Sequence, residues 1–95
     1  MNKVAIITGA GQGIGLAIAR KLVENGTQVL LNDREKGLTQ EAVASLSRLK
    51  KGSVIGCSGD AADPEVIAEL VSLALQNFGH IDQLVCNAGI TLFGN

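Results

Sequence analysis

Short apolar runs alternate with segments of helical periodicity along this chain, and that alternation restricts its possible folds more than any other feature. The runs have three or four residues each and cover Val4–Ile7, Val29–Leu31, Val54–Cys57 and Leu84–Cys86. None of them alternates apolar with polar residues, which is typical of parallel strands covered on both faces.

The segments between the runs repeat apolar residues at the spacing of an amphipathic helix. Glycines 26, 52 and 79 are predicted to follow helix C-termini, and Asp63-Pro64-Glu65 has the residues of a helix N-terminus. The predicted buried faces are Ile14, Ala17, Ile18 and Leu22 in the first helix, Leu38, Ala42, Leu46 and Leu49 in the second, and Ile67, Leu70, Val71, Ala74 and Phe78 in the third.

The resulting order, β-α-β-α-β-α-β, predicts an α/β fold with right-handed crossovers. The usual arrangement is a Rossmann-type, doubly wound parallel sheet with its strands in the order 3-2-1-4. In that order Cys57 and Cys86 end the two outermost strands, which lie too far apart for an intrachain disulfide. The 95 residues suffice for one small domain.

Composition excludes several classes of protein. With 46% hydrophobic and 18% charged residues, the chain is not a disordered segment. Eight basic and nine acidic residues give a net charge of −1, and no same-sign block forms a surface for nucleic acid or an anionic membrane. The apolar runs are too short to span a bilayer. We therefore expect a soluble, cytoplasmic protein with no metal site, no nucleic acid partner and no membrane partner.

A glycine-rich segment, Thr8-Gly9-Ala10-Gly11-Gln12-Gly13-Ile14-Gly15, joins the first strand to the first helix. The first N–H groups of a helix lack partners and carry partial positive charge, so glycines there let a phosphate approach the backbone. The spacing is neither G-x-G-x-x-G, which needs glycine at Ile14 or Leu16, nor a P-loop. The segment alone fits a dinucleotide or the S-adenosylmethionine of a methyl transferase.

An acidic residue follows the second strand 18 residues after Gly15. A carboxylate at this distance can accept hydrogen bonds from the adenosine ribose hydroxyls. The charge of Asp33 would also repel a 2′-phosphate, whereas the guanidinium of Arg34 could pair with one. The cofactor predicted is NAD, with NADP as the alternative.

The spacing T-G-x-x-x-G-x-G, together with Cys86-Asn87-Ala88-Gly89 after Ile81-Asp82-Gln83-Leu84-Val85, resembles the short-chain dehydrogenase/reductase family. Cys86 stands where the family's N-N-A-G motif usually has asparagine. The resemblance implies that the pyrophosphate loop is formed by Gly9, Gln12, Gly13, Ile14 and Gly15. It implies that Asp60 and Ala61 contact the adenine. It also implies that Asn87 bonds backbone groups beside the cofactor, and that Ala88 and Gly89 leave space for the ribose. A turn-forming role is the alternative for Asp60.

The family's acid–base site consists of Tyr, Lys, Ser and Asn residues that follow the Asn-Ala-Gly turn, and this sequence contains no Tyr. No catalytic residue is therefore predicted. We expect residues 1–95 to be the N-terminal part of one NAD(P)-binding domain, inactive alone, with the sheet truncated after an exposed fourth strand. The resemblance implies that the intact enzyme is a homo-oligomer that transfers hydride between NAD(P) and a carbonyl or alcohol substrate. A non-catalytic nucleotide-binding module and a vestigial truncated product are the alternatives.

Overall fold

The computed structural model describes residues 2–87, which form a parallel sheet with three helices. The strands lie in the order β3-β2-β1-β4, and this confirms the predicted topology. No helix among these residues is long and apolar enough to cross a membrane. In chain order the elements are β1 (Val4–Thr8), α1 (Gly13–Glu24), β2 (Gln28–Asp33), α2 (Lys36–Ser47), β3 (Val54–Ser58), α3 (Pro64–Phe78) and β4 (Gln83–Cys86).

Burial differs between the central and the outer strands. All of β1 and the middle of β2 are buried, as uninterrupted apolar runs predict. The outer strands are only partly covered, and the Leu84 side chain is 52% exposed. The prediction of burial on both faces is therefore wrong for β3, whereas the exposure of β4 agrees with the expectation of an exposed fourth strand. Cys57 and Cys86 lie in these outer strands as free thiols.

Alternate residues of the central strands face two separate cores. Ile7 and Leu31 face α1 and α2, in a cluster with Ala19 and Leu46. Ile6 and Leu30 face the opposite side, where they pack with Leu70 and Ala74 of α3. Each large aliphatic side chain that is fully buried in this way contributes about 1.5–3 kcal/mol to folding. The helices are thereby held on both faces of the sheet.

All three predicted helix faces are wrong in detail, and in α3 the predicted Val71 is 37% exposed. Helix α1 buries Gly15, Ala19 and Val23, whereas Ile14 is 57% exposed. Its rotation is set by Gly15, which packs on backbone atoms of the preceding loop. Helix α2 ends at Ser47, so Leu49 lies beyond it and is 42% exposed.

The glycines predicted to follow helices also differ in role. Gly79 is the C-cap of α3, with a φ of 88°, which confirms the prediction there. Gly26 directly follows the C-cap residue of α1 and has a φ of 91°. Gly52 has a φ of 80° but lies in the turn before β3, five residues after the end of α2.

Hydrogen bonds join β1 to β4 at the N-terminal ends of these strands. The Asp82 carboxylate accepts from the Val4 N–H at 2.8 Å and lies 3.0 Å from Nε2 of His80. The Asp82 N–H donates to the Val4 carbonyl at 2.8 Å. The single histidine thus belongs to the end of the sheet opposite the glycine-rich loop.

The cap of α3 gives a test of the fold. Asp63 accepts a hydrogen bond from the Glu65 N–H at 2.9 Å, and Pro64 occupies the first turn. We expect Asp63→Ala to lower the free energy of unfolding by about 1 kcal/mol, because one helix N–H loses its partner. Urea denaturation followed by circular dichroism measures the loss. Asp63→Ser retains a capping oxygen and should stay close to the parent chain; an equal loss in both variants would contradict the capping role.

Candidate functional site

The C-terminal ends of the strands meet at one edge of the sheet and border a cleft. Its volume is about 330 Å³, and it lies between the end of β1, the β3–α3 turn and the end of β4. A second cavity, of about 320 Å³, lies at the free edge of β3 beside Lys36, Thr39 and Gly56 and has no glycine-loop residue in its wall. The cleft is lined by Thr8, Arg34, Asp60, Ala61, Ala62, Ile67 and Cys86.

The glycine-rich loop needs glycine at particular positions. Gly9 and Gly13 each have a φ of 64°, in the left-handed region that side chains rarely adopt. A Cβ on Gly15 would lie 2.5 Å from the Gly9 carbonyl oxygen and 2.6 Å from Nδ2 of Asn87. The absence of side chains therefore lets α1 approach the end of β1 closely.

The N-terminus of α1 is open to a ligand. Its N-cap residue, Gln12, has an extended backbone, and no described side chain accepts from the first-turn N–H groups. No acidic residue stands in that turn, whereas α3 has both Asp63 and Glu65 at its start. Free N–H groups and the helix dipole favour an anion here. The cradle thus fits a phosphate or pyrophosphate group.

Asp33 lies at the end of β2 and touches the glycine-rich loop. One of its carboxylate oxygens accepts from the Gly11 N–H at 2.9 Å and the other from the Glu35 N–H at 3.1 Å. A carboxylate has about four acceptor positions, so it can still accept from a ligand hydroxyl. A Cβ on Gly11 would lie 2.8 Å from both Cγ of Asp33 and Cβ of Leu38, so this contact also requires glycine.

The β3–α3 turn brings Asp60 and Ala61 to the cleft. Oδ1 of Asp60 accepts from the Ala62 N–H at 2.9 Å, which is the turn-forming role given above as the alternative. The carboxylate is exposed, so this role leaves it accessible to a ligand. Within residues 2–87, no group of three or more His, Cys, Asp or Glu side chains could hold a metal ion.

The two thiols near the cleft differ in environment. Cys86 is exposed and lines the cleft, whereas Cys57 is half-buried at the end of β3. Burial raises the pKa of the Cys57 thiol, and the neighbouring Glu69 carboxylate raises it further. Cys57 therefore stays protonated and unreactive at neutral pH.

Asn87 links the end of β4 to the glycine-rich loop. Its backbone N–H donates to the Thr8 hydroxyl at 3.1 Å, and its side-chain amide donates to the Gly9 carbonyl at 2.9 Å. The second bond joins the Asn87 side chain to a backbone group, which is the kind of contact that the resemblance implies for this residue. Ala88 and Gly89, the other predicted residues of this turn, lie outside the described residues.

The predicted residues that the structure describes are thus gathered at one edge of the sheet, around the cleft and the glycine-rich loop. Sequence reasoning missed Asn32, which is fully buried and donates to the carbonyls of Cys57 in β3 and Gly59 in the turn after it. A signal was present, because Asn32 directly follows three apolar residues of a buried strand. A polar residue in that position usually serves a specific hydrogen bond.

Comparison with known proteins agrees with this arrangement. The family model for short chain dehydrogenase matches residues 3–95, and the chain belongs to that family. It is 39% identical over 94 residues to versicolorin reductase 1 of Aspergillus parasiticus, covering 99% of this chain and 36% of the relative. It is 41% identical over 95 residues to D-beta-hydroxybutyrate dehydrogenase of Rhizobium meliloti, covering 95% of this chain and 35% of the relative.

A solved structure gives the same result at the level of the fold. L-sorbose reductase from Gluconobacter frateurii, complexed with NADPH and L-sorbose, superposes with a TM-score of 0.87 at 38% identity, over 94% of this chain and 34% of that chain. The chain thus spans about a third of the length of the relatives that it matches. Membership of this family leaves the methyl transferase alternative without support.

The close approach of Gly15 to the Gly9 carbonyl and the Asn87 amide can be tested by substitution, with a glycine that has no close neighbours as the control. We expect Gly15→Ala to displace the Gly9 carbonyl or the Asn87 amide and to lower the free energy of unfolding by about 1–3 kcal/mol, a typical cost of overpacking. Gly37→Ala is the control, since a Cβ there meets nothing within 4 Å. That variant should be neutral or up to about 1 kcal/mol more stable. Urea denaturation measures both, and similar effects would contradict the contact.

Proposed function

We propose that this chain binds NAD and forms the adenosine-binding half of a short-chain dehydrogenase. The observation that carries the proposal is the uncapped, glycine-lined start of α1, which lies at the same edge of the sheet as the carboxylates of Asp33 and Asp60. Ligands of open α/β sheets bind at this edge. The NADPH complex of the similar L-sorbose reductase supports a nicotinamide dinucleotide as the ligand.

Each part of the site would hold a different part of the cofactor. The loop residues Gly9, Gln12, Gly13, Ile14 and Gly15 surround the pyrophosphate, which the helix dipole stabilises. Asp33 accepts from the adenosine ribose. Asp60 accepts from the adenine amino group, the Ala61 N–H meets the ring, and Asn87 holds the Gly9 carbonyl in place.

The bound cofactor supplies the hydride chemistry, and these residues bind and orient it. Since the sequence contains no Tyr, the proton transfer that accompanies hydride transfer in this family requires residues outside these 95. The chain alone would therefore bind cofactor without turning over a substrate. The whole enzyme would act on a small carbonyl or alcohol, as a homo-oligomer.

The end of β2 favours NAD over NADP. The Asp33 carboxylate is held 2.9 Å from the Gly11 N–H, beside the loop that takes the pyrophosphate. A 2′-phosphate on the ribose would meet this negative charge, and like charges at close range repel. Arg34 is exposed at the wall of the cleft, and its guanidinium offers partial compensation for NADP.

Calorimetry and a thermal melt of the purified chain test the proposal. We expect one saturable site per chain for NAD, and a melting temperature that rises with cofactor concentration. A ligand at a hundred times its Kd stabilises the folded state by about 2.7 kcal/mol. AMP should bind at the same site and compete with NAD. A chain that melts cooperatively but binds neither ligand would overturn the proposal.

The preference for NAD can be tested with Asp33→Asn, which removes the negative charge. Its amide oxygen can still accept from Gly11, whereas its NH2 group replaces the oxygen that accepts from Glu35. A hydrogen bond to a charged group contributes about 1.5–3 kcal/mol and a neutral one about 0.5–1.5 kcal/mol. We therefore expect NAD to bind about tenfold more weakly, a loss of about 1.4 kcal/mol. NADP should bind equally well or more tightly, because the repulsion is removed.

Arg34→Ala is the matched control at the neighbouring position. It should weaken NADP and leave NAD unchanged, since only NADP has a 2′-phosphate on the adenosine ribose for the guanidinium. Calorimetric titration of both variants with both cofactors gives the comparison. Equal losses of NAD and NADP in Asp33→Asn would contradict the assignment of this residue.

A further inference from the structure

We infer that Asn32 is a positioning residue for adenine recognition, because its side chain holds the β3–α3 turn that carries Asp60 and Ala61. This inference rests on the proposed nucleotide function and extends it to a residue outside the cleft wall. Asn32 is fully buried in β2, two residues after Leu30, and so faces the same side of the sheet as α3. The Asn32 side chain can therefore contact the β3–α3 turn from the interior of the protein.

The side-chain amide of Asn32 makes one hydrogen bond to β3 and one to the residue that follows this strand. Its Nδ2 donates to the Cys57 carbonyl at 3.0 Å and to the Gly59 carbonyl at 3.1 Å. An amide nitrogen has two hydrogens, so both are used. Two carbonyl acceptors also decide which way the amide points, because the opposite orientation would place oxygen against oxygen.

The oxygen of this amide, Oδ1, shows that Asn32 stabilises the structure through the two hydrogen bonds that its nitrogen donates. Oδ1 is buried and has no hydrogen-bond partner among residues 2–87. Burying such an acceptor costs free energy, and an apolar side chain at this position would avoid that cost. The contribution of Asn32 therefore lies in the two bonds that it donates.

Those bonds determine how the chain leaves β3. The Gly59 N–H donates to the Asp33 carbonyl at 2.9 Å, so β2 contacts Gly59 through both its N–H and its carbonyl. The φ of Gly59 is 149°, and a Cβ there would lie 3.0 Å from the Val66 side chain. Asp60 is the next residue, so the position of its carboxylate depends on how Gly59 is held.

The glycine-rich loop is held at the same place by different bonds. The Ala10 N–H donates to the Asn32 carbonyl at 2.8 Å, and the Gly11 N–H donates to Asp33. The bond from Ala10 uses only the backbone of residue 32. A change of the Asn32 side chain should therefore release the adenine turn and leave the pyrophosphate loop in position.

Adenine recognition is measured by comparing NAD with nicotinamide hypoxanthine dinucleotide, which has a carbonyl in place of the adenine amino group. The analogue faces Asp60 with an acceptor, so we expect the parent chain to prefer NAD about tenfold, as for a lost hydrogen bond to a charged group. In Asn32→Leu, a side chain of similar size, the preference should fall to about twofold or less. Calorimetric titration of the 95-residue chain gives both affinities.

Ser53→Ala is the matched control at the other end of β3. Ser53 is buried, and its hydroxyl donates to the Lys50 carbonyl at 2.6 Å, far from the turn. This variant should lower the melting temperature and retain the preference for NAD. The control thus separates a loss of stability from the predicted change in the ratio of the affinities for NAD and the hypoxanthine analogue.

The outcomes separate the two proposals. If the parent chain binds no NAD, the proposed function fails and this inference fails with it. If the parent chain prefers NAD and Asn32→Leu retains the same preference, only the role of Asn32 is overturned.

A measurement on the parent chain covers the case in which Asn32→Leu does not fold. The side-chain ¹⁵N–H signals of Asn32 should shift when AMP is added and remain unchanged with inorganic pyrophosphate. Absence of a shift with AMP at saturation would overturn the inference.

Discussion

The contact between the first turn of α1 and the end of β1 is the one on which the cleft depends. A Cβ on Gly15 would lie 2.5 Å from the Gly9 carbonyl oxygen and 2.6 Å from the Asn87 amide nitrogen that donates to this oxygen. The packing of Gly15 brings the start of α1 close to the end of β1, and no side chain among residues 2–87 caps that helix start. Within the described part of the chain, an anion can therefore approach a helix terminus that has no acidic residue in its first turn.

The remaining walls of the cleft are organised by two adjacent polar residues of β2. Asp33 bonds the glycine-rich loop on one side, and Asn32 bonds the β3–α3 connection on the other. The position of β2 between β1 and β3 makes this possible, because one strand end reaches both neighbouring loops. The pyrophosphate and adenine parts of the proposed site are thus held in fixed relation through a single strand.

The strand order, the glycine-rich loop and the grouping of Asp33, Asp60 and Asn87 at one sheet edge could be predicted from the sequence. Uninterrupted apolar runs and helical spacing are local signals, and parallel topology follows from their alternation. The rotation of α1 could not be predicted, because periodicity placed Ile14 in the core, whereas the contact at Gly15 turns it outward. Leu49 was misplaced for a similar reason, since apolar spacing continues beyond the point where α2 ends.

The amino-acid order by itself determined which segments are strands and helices, and which loop brings glycines to the start of a helix. These properties depend on residues close together in the chain, such as the four glycines between positions 9 and 15. The tertiary structure alone decided what Asn32 contacts, because its partners lie 25 and 27 positions away, one in β3 and one in the turn that follows it. A buried asparagine indicates that its side chain has a hydrogen-bond partner, but only the packed sheet determines which carbonyls accept from it.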